Sequence, residues 1–176
     1  KDAINRANEH FVVRNNTRGK LIFPCGSGKS LTAYWIMQML RANSTLIAVP
    51  SLSLIKQTLE VYLKEIVASQ IDVKWLCICS DEGITKNSDA LYNTESLGIP
   101  STTSPEFIKK WLSNNINEKK IIFTTYQSSK IIAKVSKELS YNFDLAIFDE
   151  AHKTVGLKTR LFSHLLLEDN ISISRR

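Results

Sequence analysis

At 176 residues, with 43% hydrophobic and 23% charged side chains, the chain is long enough for one domain with its own core. No apolar run approaches membrane-spanning length, and the polar, helix-like start Lys1-Asp2-Ala3-Ile4-Asn5-Arg6 is unlike a signal peptide, so no membrane partner is expected. The net charge of +6 invites a polyanionic partner without proving one, and three cysteines without a disulfide framework suit a reducing, cytoplasmic setting.

In chain order, Ala3, Ile4, Ala7 and Phe11 fall at helical spacing and predict an opening helix from Asp2 to Phe11. Asn15 to Gly19 is a loop by composition. The apolar run Leu21-Ile22-Phe23 predicts a strand, and a helix is expected to follow from Leu31 to about Arg41. Thr45 to Val49 reads as a buried strand stopped by Pro50. Leu52, Ile55, Leu59, Leu63 and Ile66 mark an amphipathic helix. Val73 to Cys79 is apolar on both faces and predicts an interior strand. The polar stretch from Ser80 to Ser104 is expected to be an exposed excursion.

Ser104-Pro105-Glu106 looks like a helix start, with Ser as cap and Pro at the first position. Ile121 to Thr124 predicts a strand, Lys130 to Leu139 a helix, Leu145 to Phe148 a further strand, and Leu161 to Leu167 a last short helix. Apolar strands alternating with helices imply an α/β fold: a parallel sheet with helices on both faces.

Two motifs carry chemistry. Between the first predicted strand and its helix lies Cys25-Gly26-Ser27-Gly28-Lys29-Ser30, a phosphate-binding loop. Glycines without Cβ atoms let backbone N–H groups curl around phosphate oxygens, and the helix N-terminus adds partial positive charge. Lys29 can reach the outer phosphates, and Ser30 can ligate Mg²⁺. Phe23 stands where the strict pattern has its first glycine. The second motif is Asp149-Glu150-Ala151-His152 at the end of an apolar strand. Asp149 would hold Mg²⁺ opposite Ser30, and Glu150 would orient and deprotonate the attacking water.

These residues resemble helicase motif I and the DEAH box, so the chain resembles the first RecA-like domain of a superfamily-two helicase or translocase, a P-loop NTPase fold. Val49 to Gln57 resembles motif Ia, and Thr124-Thr125-Tyr126-Gln127-Ser128 resembles a segment of the restriction-enzyme-like branch. Asp149 to Gly156 looks most like the helicase part of type ISP restriction enzymes and related phage or plasmid helicases. The resemblance implies ATP and Mg²⁺ as cofactors and movement on DNA as the output. It gives His152 a coupling role and sets Pro50, Ser51, Thr125, Tyr126 and Gln127 on a DNA-facing edge with backbone contacts. Implied partners are DNA, a second RecA-like domain of the parent chain, and nuclease or methyltransferase domains. Relatives add an adenine-reading Gln before the opening helix, a Thr-Ala-Thr motif, and arginine fingers on the second domain. Residues 1–176 contain none of these, so the chain is expected to be a fragment that hydrolyses ATP poorly.

Other readings stay open. A nucleotide-gated module regulating a nuclease or methyltransferase, or an RNA helicase domain, would carry the same two motifs. Pro50-Ser51 can be a strand terminator and helix cap, and Tyr126 a ring packed on the sheet. Lys130, Lys134 and Lys137 share one helix face, which is either plainly solvated or a phosphate-tracking stripe. Cys77-x-Cys79 lacks the closed ligand set zinc needs and is expected in the core. Cys25 is either filler or a thiol activated by the helix N-terminus.

Overall fold

A computed structural model of the chain describes residues 1–24, 26–79, 99–114, 118–150 and 164–176. Its strands are β1 (Ser44–Val49), β2 (Val73–Ile78), β3 (Ser101–Thr102), β4 (Lys119–Thr125), β5 (Asn142–Phe148) and β6 (Ser172–Arg175). The helices are α1 (Asp2–Asn8), continued by a π-helical turn Glu9–Val13, then α2 (Lys29–Met39), α3 (Leu52–Ser69), α4 (Pro105–Ser113) and α5 (Ser129–Glu138). A 3-10 turn covers His164–Leu166.

All strand pairs are parallel, in the order β3-β2-β4-β1-β5-β6. Central β1 is buried at every position, as its unbroken apolar run requires. Alternating side chains divide the core by face. Leu46, Leu76, Ile78, Ile122 and Ala146 pack with Ile108 and Leu112 of α4 and Ile132 and Val135 of α5. Ile47, Val49, Cys77, Ile121 and Phe123 pack with Tyr34 and Met37 of α2 and Ile55, Leu59 and Tyr62 of α3. Cys77 and Cys79 thus belong to the core, and burial pushes the Cys77 thiol up to about 12.

Local signals explain several boundaries. Ser51 caps α3 by accepting from the Leu54 amide at 3.4 Å. Ser104 caps α4, accepting from Phe107 N at 3.3 Å with Pro105 at the first helical position. Phe11 lies against Gly19, where an added Cβ would come within 2.7 Å of the ring.

Three expectations need correction. Leu21-Ile22-Phe23 is not a strand. Backbone bonds link Thr17 and Gly19 to Arg176, but beyond them the run has no ladder partner among the described residues. Leu21 and Ile22 are accordingly 50% and 82% exposed. Of the last helix expected over Leu161 to Leu167, residues 161–163 lie outside the described set and His164–Leu166 is a 3-10 turn instead of α-helix. Strand β6 was not anticipated, although Ile171-Ser172-Ile173-Ser174 alternates with period two. The excursion expected over Ser80 to Ser104 falls largely outside the described residues, and β3 lies within its described end.

Candidate nucleotide site

The parallel sheet sets two loops side by side at the C-terminal ends of its strands. Strand β5 pairs with β1 through Ala48 and Phe148, and the ladder is extended by Asp149 N donating to Ala48 O at 2.9 Å. A turn then begins at Asp149-Glu150. Glu150 sits in the left-handed region (φ 53°), which costs a non-glycine residue about 1–3 kcal/mol. Its amide donates to Asp149 Oδ1 at 2.9 Å, which holds the turn.

The facing wall is the start of α2. Gly26 (φ 74°) and Gly28 (φ 81°) both lie in the left-handed region, and Gly28 is the N-cap of α2. A Cβ would meet nothing within 4 Å at either glycine, so the demand for glycine there is conformational. Ser27 Oγ donates to Pro24 O at 2.6 Å and tightens the loop. Lys29 and Ser30 lead into the helix with their side chains half-buried.

The two walls meet. Lys29 Nζ donates to Glu150 Oε1 at 3.2 Å, an ion pair whose partners are 34% and 23% exposed. A helix N-terminus, a lysine, and two adjacent carboxylates form a set that fits a nucleoside triphosphate with a divalent cation. Among the described residues no cluster of three or more His, Cys, Asp or Glu stands ready to hold a metal ion. Cys25 and His152 lie outside the described residues, as do Lys153 to Gly156.

The residues expected on the DNA-facing edge separate. Tyr126 N donates to Val49 O at 3.1 Å, so the Thr125-Tyr126-Gln127 turn lies beside Pro50 and Ser51 as expected. Tyr126 itself is 0% exposed, and its hydroxyl donates to Asp149 O at 2.8 Å. Burial first, then Asp149 and Glu150, push its pKa far up, so it stays a donor. Thr125 is buried too, accepting from Ser128 N at 3.3 Å. Neither side chain is available to a nucleic-acid strand; the pattern in sequence did not reveal this because a polar-aromatic turn reads alike in either place. Gln127 is exposed, while Pro50 and Ser51 are half-buried. Beneath the site Tyr34, Tyr62 and Phe123 stack edge to face.

Fold and site together define a P-loop nucleotide-binding domain of RecA-like architecture. Residues 1–162 match the family described as type III restriction enzyme, res subunit, and the chain belongs to that family. Probable helicase A859L of African swine fever virus (isolate Tick/South Africa/Pretoriuskop Pr4/1996) is 34% identical over 158 residues, covering 88% of this chain and 16% of the viral protein. A nuclease-deletion mutant of the type ISP restriction-modification enzyme LlaGI, solved with a DNA substrate mimic, superposes with a TM-score of 0.79 at 30% identity. That match covers 99% of this chain and 14% of LlaGI. The ATP-dependent type ISP enzyme LlaBIII, solved bound to DNA, gives a TM-score of 0.80 at 27% identity, over 99% of this chain and 12% of that one. The chain therefore spans about one sixth or less of these relatives. The resemblance to helicase and type ISP restriction proteins drawn from the motifs holds, and the family relation implies nucleotide use. Among the described residues no helix is long and apolar enough to cross a membrane.

Proposed function

We propose that residues 1–176 form the ATP-binding motor domain of a DNA helicase or translocase. The contact between Lys29 and Glu150 carries this reading, because it joins the phosphate loop and the acidic pair in one cleft. When bound, ATP with Mg²⁺ supplies the hydrolysable phosphoanhydride and the charge neutralisation for its cleavage. The chain's own residues do the rest. The loop glycines Gly26 and Gly28 and the helix N-terminus face the phosphates, and Lys29 exchanges the Glu150 carboxylate for phosphate oxygens. Freed of that ion pair, Glu150 orients a water and accepts its proton. Ser30 and Asp149 would hold the cation, and the Tyr126 hydroxyl steadies the Asp149 backbone by donating to its carbonyl. Gln127, Pro50 and Ser51 lie together on an edge suited to nucleic-acid backbone, where contacts position a strand without reading its sequence. A second RecA-like domain, and nuclease or methyltransferase domains, complete the motor in the parent protein.

Single-turnover ATP hydrolysis, with the chain in excess and single-stranded DNA present, tests this. Glu150→Gln should lower the rate by about 10²–10⁴-fold while nucleotide still binds. An unchanged rate would refute the assignment of Glu150.

A further inference from the structure

A second feature lies away from the nucleotide cleft. Helix α5 begins two residues after exposed Gln127 and carries Lys130, Lys134 and Lys137 along one face, all exposed. With Ala133 they wall one side of a shallow groove of about 300 Å³, and His164 and Asn170 wall the other. We propose that this groove binds the phosphodiester backbone of a single nucleic-acid strand running on from the Gln127 turn. The inference rests on the motor reading for its choice of polyanion.

Three observations converge. The lysines recur at four- and three-residue steps, about 6 and 4.5 Å along a helix rising ~1.5 Å per residue, so a chain of phosphates can meet them in succession. Among the described residues none forms an ion pair and no carboxylate lines the groove. The nearest acid on the helix, Glu138, is paired with Lys109 and also feels the Lys134 charge, without forming an ion pair with it. Like charges at this spacing repel by a few tenths of a kcal/mol per pair, a cost a polyanion would relieve.

The far wall is fixed and offers a donor. Lys137 Nζ donates to Asp169 O at 3.3 Å, tying the segment after the 3-10 turn to α5. Asn170 Nδ2 lies 3.1 Å from His164 Nδ1 and 2.9 Å from His164 O. An amide donor at Nδ1 selects the tautomer with its proton on Nε2, leaving an N–H for a phosphate oxygen.

The test is the salt dependence of oligothymidylate binding, read by fluorescence anisotropy, for wild type, K130A/K134A/K137A and K130R/K134R/K137R. Alanine favours helix and the three side chains are exposed, so the fold should persist; matched thermal melts check this. Three lost phosphate contacts should reduce the log–log salt slope by about 2, at ~0.7 per phosphate, and the arginine variant should keep the wild-type slope. Equal slopes for wild type and the alanine variant would overturn the groove alone. A wild-type chain that binds no strand at any salt would overturn the nucleic-acid part of the motor reading as well. Lysine-dependent binding of polyglutamate in place of oligothymidylate would reassign the groove to an acidic polypeptide.

Discussion

His164 shows how one side chain's surroundings become a property of the whole fold. Burial, and next the Lys130 ammonium, disfavour its imidazolium and lower its pKa. As pH falls below the ordinary value of 6.5, the unfolded chain takes up the proton before the folded one does. Stability present above that pH is therefore lost through the window below it. Urea unfolding at neutral and mildly acidic pH should show this decline, and His164→Asn, which keeps an acceptor for Asn170, should make it shallower. Identical declines would contradict the assignment. The site residues Gly28 and Glu150 teach a related point: both adopt left-handed backbone, but only the glycine announces it in sequence. The strained turn at Glu150 becomes visible only once β5 and the Lys29 ion pair are in place.

Among the elements, β5 and the turn after it depend on a neighbour. The Tyr126 hydroxyl, from the end of β4, satisfies the Asp149 carbonyl where β5 ends. Tyr126→Phe removes the donor and leaves a partly buried carbonyl unpaired, which should cost about 1–2 kcal/mol. A lower urea midpoint with an unchanged slope is the expected result; wild-type stability would show that another group takes over the carbonyl. Elements with strong periodicity and caps, such as α3 and α4, were legible before any coordinates. Strand β6 was not, because four residues of Ile-Ser alternation give a weak signal beside two arginines. Leu21-Ile22-Phe23 failed in the opposite sense. Its composition suits a strand, but a strand exists only where a ladder partner is present, and composition cannot report that.

At the scale of the whole molecule, the parallel sheet is what turns two distant motifs into one site. Phosphate loop and acidic pair were recognisable from residue types alone, since their chemistry allows few substitutes. That they touch was not: it follows from β5 lying beside β1 and from α2 starting at the same edge. The edge expected to face DNA was less legible, because Thr125 and Tyr126 are buried, Tyr126 by packing with Ile132 and Val135 of α5. The central claim is that Lys29 exchanges a carboxylate for the phosphates of ATP within this cleft. Calorimetric titration of wild type and Lys29→Ala with ATP in Mg²⁺ tests it most directly. Loss of charge-assisted hydrogen bonds worth about 1.5–3 kcal/mol should weaken binding by roughly one to two powers of ten. Equal affinities for the two proteins would contradict the account.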